Sequence, residues 1–230
     1  MYLYHSNENN SPMSTRILPA IIASTQEELD GMFTRLEGKV EWVMLDLMDG
    51  AFVSTKALMF PLRLRKGLRY EAHLMVKKPL DFLPALKGKV EAVIIHVESD
   101  NFLEALTKAR SLGFEVAAAI NPGTPLQKLE PHLKEIDRVL VMTVEPGRYG
   151  APFVPDALET VKELKKTAPR LPVEVDGAMN PENARKARVA GATIFASGSY
   201  LMKSSDLKAA LKTLNEAVSE ITNNCSLRVK

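Results

Sequence analysis

From about residue 17 onward, short apolar runs alternate with longer amphipathic stretches, and this alternation limits the fold more than any other feature. A brief apolar run rich in β-branched residues reads as a buried strand. A longer stretch with apolar residues every three to four positions reads as a helix packed on it. The strands read at 17–22, 41–46, 70–75, 90–97, 115–120, 138–143, 172–176 and 193–197. The helices read at 25–36, 79–86, 101–112, 125–133, 155–167, 181–190 and 206–221, with a short basic helical turn at 61–67. Local punctuation supports these limits. Ser24 with Glu27 reads as a capping box, and Gly113 and Gly191 stop the helices before them.

Eight strand–helix units with no long interruption predict a parallel sheet closed into a (β/α)8 barrel, an α/β fold in a single domain. An open doubly wound sheet would carry a glycine-rich phosphate turn after its first strand. Here that turn is Ile22-Ala23-Ser24-Thr25, without a glycine. The expected division is a loose polar extension at 1–15, the barrel at 16–222 and a polar tail at 223–230.

Composition narrows the setting. A formal charge of +2 gives no footing for nucleic acid or for an anionic membrane surface. The one cysteine, Cys225, falls in the polar tail, so no disulfide forms within the chain, which fits a reducing compartment. No apolar run reaches the ~20 residues that span a bilayer, and residues 1–15 lack the apolar centre of a signal peptide. The expected location is the cytoplasm.

In such a barrel the chemistry gathers where strands hand over to the next helix. Asp46-Leu47-Met48-Asp49-Gly50 and Glu174-Val175-Asp176-Gly177 each deliver a carboxylate there, and His73-Leu74-Met75 delivers an imidazole. Two carboxylates so presented can work on opposite faces of one small substrate, moving a proton from one side of a carbon to the other. Asp49 reads as structural, since an Asp-Gly pair favours a turn whose amides the carboxylate can satisfy. His96 reads as a satisfied structural residue, His5 and His132 as tail and surface residues, and Lys56 and Lys77 as loop residues near the mouth.

Six phrases stand in order between about Ile17 and Met202: Leu45-Asp46-Leu47-Met48-Asp49-Gly50-Ala51-Phe52-Val53, His73-Leu74-Met75, Asn121-Pro122-Gly123-Thr124-Pro125, Met142-Thr143-Val144-Glu145-Pro146-Gly147, Glu174-Val175-Asp176-Gly177 and Gly198-Ser199. On this ordered set the chain resembles the ribulose-phosphate 3-epimerases and allied ketose-phosphate 3-epimerases. The resemblance implies that Asp46 and Asp176 are the acid/base pair inverting C3 of D-ribulose 5-phosphate through an enediolate. It implies a divalent metal (zinc, iron or manganese) on Asp46, His73 and Asp176. It further implies a substrate wall of Met48, Met75 and Met142, with His73 beside it. A phosphate cup is implied at Gly147, Arg148, Gly177, Ala178, Gly198 and Ser199. The partner implied is a small phosphorylated sugar, with homo-oligomerisation left open.

The chain departs from the family pattern at four places. Met44 stands where a second metal-binding histidine is usual, and a thioether is a poor ligand for a hard dication. Ala20 replaces a substrate-contacting serine, and Ala178 replaces a second glycine. Arg148-Tyr149 replaces an aromatic residue and a glycine. Arg148 reads either as a bidentate phosphate clamp or as a solvated loop charge. The departures leave a second reading open, a barrel that binds a sugar phosphate without turnover. Leu58, Met59 and Phe60 read as exposed, forming a contact surface or a lid. An orotidine-type decarboxylase, which needs a lysine between two aspartates, does not fit Asp46-Leu47-Met48-Asp49.

Overall fold

A computed structural model of the chain describes residues 15–219. The extension expected at 1–15, Thr15 apart, and the tail at 223–230 with Cys225 lie outside the described residues. Eight parallel strands form the ring: β1 (Arg16–Ile21), β2 (Trp42–Asp49), β4 (Arg69–Met75), β5 (Ala92–His96), β6 (Glu115–Ile120), β7 (Arg138–Met142), β8 (Val173–Asp176) and β9 (Ile194–Ser197). Pairing of β1 with both β9 and β2 closes it. The short β3 (Lys56–Ala57) lies antiparallel to the end of β2, opposite Met48 and Asp49, and extends that strand three residues past the expected limit.

The helices are α1 (Gln26–Leu36), α2 (Leu83–Leu86), α3 (Phe102–Ser111), α4 (Ala157–Thr167), α5 (Pro181–Ala190), α6 (Ser199–Met202) and α7 (Leu207–Ser219). Leu29, Phe33 and Leu36 put one face of α1 into the outer core at 0% exposure, each contributing roughly 1.5–3 kcal/mol of burial free energy. The cap of α1 is Thr25 rather than Ser24. Its side chain accepts from Glu28 N–H, while the Glu28 carboxylate accepts from Ser24 N–H. The box therefore sits one residue later than the sequence suggests.

One expected helical turn and one expected helix do not form. At 61–67 Pro61 has no N–H, and side chains satisfy the backbone instead. Gln26 bonds both Arg63 N–H and Arg63 C=O, and the Tyr70 hydroxyl does the same for Arg65. At 125–133 Pro131 removes a donor from the middle of the segment, which breaks into two 3₁₀ turns, 126–128 and 130–132. Leu58, expected on the surface, is 2% exposed, and its N–H donates to Ala23 C=O at 2.9 Å.

The barrel interior is layered. At the lower end the guanidinium groups of Arg16 and Arg69 each lie over the Trp42 ring, 4.7 and 4.0 Å from its centroid. Above it Arg138, 1% exposed, bonds Glu71 at 2.5 Å, Glu174 at 2.8 Å and also Glu115. Burial and the neighbouring Glu174 charge hold the Glu71 carboxyl well above its ordinary range. Glu71 precedes His73 by two residues, and Glu174 precedes Asp176 by two. Each glutamate thus faces the interior one layer below a site residue. Ala20, Met44, Ile94, Ala117, Leu140 and Ala196 belong to the apolar cluster that fills the middle.

Candidate active site

Asp46, His73 and Asp176 meet at the upper ends of β2, β4 and β8. Strand pairing sets Asp46 directly beside His73 and Asp176 beside Met142. The His73 Nδ1 lies 3.2 Å from Asp46 Oδ1 and 3.4 Å from Asp176 Oδ2. All three residues are buried, and one ligand atom from each falls within 4.8 Å of the others. Two carboxylate oxygens and an imidazole nitrogen are a donor set that could hold a divalent cation. Met44 faces the same interior, fully buried in one apolar cluster with Ala20, Ile94 and Met142, and adds no good donor to the set.

The electrostatics are those of a tight cluster. Burial pushes the Asp46 carboxyl up to about 6, the His73 hydrogen bond opposes this, and the Asp176 charge adds to it. Burial works against a charged His73. Bonds to Asp176 and Asp46 outweigh it and push the imidazole up to about 10. Behind it His73 Nε2 meets His96 Nε2 at 2.9 Å, and His96 Nδ1 lies 3.3 Å from Glu98 Oε2. Burial, with the His73 charge, pushes His96 down to about 4, so it is neutral. Burial tends to raise the Glu98 carboxyl, but bonds from His96, Thr124 and the Asn121 amide hold it below its ordinary range.

Asp46 and Asp176 line a cleft that opens to solvent. Met75 and Met142 contribute to its wall, and Arg148 to its rim. The turns at Gly147, Gly177-Ala178 and Gly198-Ser199 surround it. Gly147 and Gly177 have φ of 117° and 115°, a region open to glycine. Ala178 keeps φ at 51°, a glycine-like backbone on an alanine, with its carbonyl held by the Asn183 side chain at 2.8 Å. His73 sits behind the carboxylates rather than on the lining. Met48 packs with Ala57 and Met75 beside the cleft, and neither Lys56 nor Lys77 lines it. Asp49 accepts from the N–H groups of Ala51, Phe52 and Lys77, the structural role its turn implies.

Tyr149 is a lining residue for which sequence reasoning finds no role. Its ring occupies the space beside Gly198, where an added Cβ would come within 2.5 Å of Tyr149 Cε1. Burial and the nearby Asp46 charge raise its hydroxyl above the ordinary range. Sequence reasoning also misses the part of His96 and Glu98. The available signal is a histidine and a glutamate two apart at the end of the strand next to that of His73.

Fold and site together define a (β/α)8 barrel with two carboxylates at the floor of its mouth. Comparison with known proteins gives the family. Residues 13–202 match the model of the ribulose-phosphate 3 epimerase family. The cytoplasmic isoform of ribulose-phosphate 3-epimerase from Oryza sativa subsp. japonica is 31% identical over 89% of this chain and 95% of its own length. The ribulose-phosphate 3-epimerase of Bacillus subtilis is 29% identical over 86% and 97%, and that of Methanocaldococcus jannaschii 32% over 81% and 83%. The chain belongs to the ribulose-phosphate 3-epimerase family. These relatives favour an epimerase over the reading of a barrel that only binds.

Among solved structures, 3-hexulose-6-phosphate synthase from Salmonella typhimurium aligns with a TM-score of 0.65 at 13% identity, covering 89% of this chain and 99% of that one. KGPDC from Streptococcus mutans aligns at 0.65 and 10% identity, covering 91% and 99%. At such identities the likeness concerns the fold alone. Among the described residues no helix is long and apolar enough to cross a membrane.

Proposed function

We propose that this chain is a ketose-phosphate 3-epimerase that interconverts D-ribulose 5-phosphate and D-xylulose 5-phosphate, with Asp46 and Asp176 as its acid/base pair. The observation that carries the reading is the convergence of two buried carboxylates on one imidazole nitrogen, at 3.2 and 3.4 Å, at the floor of an open cleft ringed by the Gly147, Gly177 and Gly198 turns.

One carboxylate removes the C3 proton, and the other returns a proton to the opposite face. The reverse reaction exchanges the roles. An acid/base group works best when its pKa lies near the working pH, and burial raises the Asp46 carboxyl in that direction. A divalent cation (zinc, iron or manganese) held by Asp46, His73 and Asp176 would supply charge stabilisation for the oxyanion that develops at C2. Where no cation is held there, His73 orients both carboxylates by its Nδ1 contacts. Met75 and Met142, with Met48 behind Met75, give an apolar wall that offers no competing hydrogen bonds. The turns at Gly147, Gly177-Ala178 and Gly198-Ser199 take the phosphate on backbone N–H groups, with Arg148 at the rim to add charge.

A cytoplasmic setting goes with this reading, supported by the rice relative described as the cytoplasmic isoform. The test is Asp46→Asn and Asp176→Asn. Each is expected to lower kcat for D-ribulose 5-phosphate about a thousandfold while the fold is retained by circular dichroism. Either variant keeping near-normal turnover would remove the two-base mechanism.

A further inference from the structure

Behind the carboxylate pair a polar chain runs outward from the barrel interior through His73, His96 and Glu98. Glu98 anchors it. Its Oε1 accepts from Asn121 N–H at 2.9 Å, and its Oε2 lies 3.3 Å from His96 Nδ1. An ionised carboxylate has no proton to give, so His96 Nδ1 carries the hydrogen of that contact. His96 Nε2 stands 2.9 Å from His73 Nε2, so one hydrogen lies between them. When His73 Nδ1 is given to a cation, the ring hydrogen that remains is on Nε2, so His73 donates and His96 Nε2 accepts. The two rings are only 15° from coplanar with centroids 5.0 Å apart, the geometry of an in-line N–H···N bond. His73 thus spends its Nε2 hydrogen on the side away from the cleft. Its other nitrogen, Nδ1, faces Asp46 and Asp176.

We propose that His96 and Glu98 are positioning residues that fix His73 in the Nε2–H tautomer and so present its Nδ1 lone pair to a divalent cation shared with Asp46 and Asp176. The inference rests on reading this site as a metal-assisted epimerase centre. His96 does not line the cleft and is 0% exposed, with the Phe52 ring packed on it at 4.8 Å between centroids. Its one polar surface toward the site is the nitrogen that meets His73. A hydrogen-bonded partner behind a ligating histidine fixes both the tautomer and the ring orientation, and losing it costs about 10–100-fold in metal affinity.

The test uses the full chain, stripped of metal and titrated with Zn²⁺ against a chromophoric chelator. Glu98→Gln keeps the shape of the side chain but cannot accept from both Asn121 N–H and His96 Nδ1–H. His96→Phe keeps a buried ring and removes the acceptor. Each is expected to weaken Zn²⁺ binding about 10–100-fold. In the zinc-loaded wild type, ¹⁵N spectra of the histidines are expected to show His73 protonated at Nε2 and His96 at Nδ1, a readout that requires no variant to fold. The proposal is overturned if both folded variants bind Zn²⁺ as the wild type does, if the wild type takes up no Zn²⁺, or if the tautomers are reversed. Neither readout involves a sugar. The expected tautomers without epimerase turnover would overturn the function and leave this inference standing, and turnover with reversed tautomers would do the opposite.

Discussion

The Tyr149 hydroxyl donates to the Ala20 carbonyl at 2.6 Å and accepts from the Ile22 N–H at 2.9 Å. One side chain thereby ties the loop between β7 and α4 to the end of β1, three strands away round the ring. The serine usual in the family at position 20 is missing, and a phenol reaches that strand end from the opposite loop.

Tyr149→Phe would leave the Ala20 carbonyl and the Ile22 N–H without their partner. The expected loss of stability is about 1–3 kcal/mol, read by urea unfolding. The freed loop carries Gly147 and Arg148, so KM for the sugar phosphate should rise more than kcat falls. An unchanged KM would show that the tie has no part in binding.

Asp49 links the β2 end to the following loop through the Ala51 and Phe52 amides and to the loop after β4 through the Lys77 amide. Burial tends to raise its carboxyl, but the N–H groups of Phe52, Lys77 and Ala51 outweigh it and hold the group below its ordinary 3.8. A depressed pKa in the folded state contributes stability that is complete above the unfolded value and disappears as the pH falls through the folded one. Asp49→Asn is therefore expected to be less stable than wild type at pH 7. The gap should narrow below pH 3.8 and close once the native carboxyl is protonated. Denaturant midpoints measured across pH 2–7 check the sign, and a gap that widens toward acid would contradict it.

Ala178 adopts φ of 51°, which costs an L-residue about 1–2 kcal/mol, whereas glycine costs about 0.4–1 kcal/mol of unfolded-state entropy. Ala178→Gly is expected to stabilise the fold by about 0.5–1 kcal/mol, seen as a rise in Tm. A lower Tm would mean that the methyl group makes contacts that offset the strain.

Met44 lies two residues before Asp46 on the same interior face and is fully buried. Met44→His would put an imidazole beside the three existing donors. Zinc affinity is expected to tighten by about tenfold or more, ~1.4 kcal/mol per decade, in a chelator competition titration. An unaltered affinity would place that nitrogen out of reach of the site.

Much of the architecture is legible in the sequence because its signals are local. The α5 limits, Pro181–Ala190, match the sequence reading: Asn180 caps the start, and Gly191, at φ of 116°, ends it. Segment 61–67 misleads because its backbone partners, Gln26 among them, come from elsewhere in the chain. Leu58 looks exposed because a hydrophobic loop residue gives no hint that its N–H reaches Ala23. In the site, Asp46, His73 and Asp176 are legible as strand-end residues. The strand-end position of His96 is also visible, but its contact with His73 depends on the pairing of β4 with β5. The part played by Tyr149 depends on a partner 129 positions away, which no local pattern encodes.

Incubating D-ribulose 5-phosphate with the protein in D₂O and following C3 by NMR tests the two-carboxylate mechanism most directly. D-Xylulose 5-phosphate carrying solvent deuterium at C3 is the expected product, with its formation abolished in both Asp46→Asn and Asp176→Asn. Substrate that binds yet remains protonated and uninverted at C3 in the wild type, with Zn²⁺, Fe²⁺ or Mn²⁺ supplied, would contradict it.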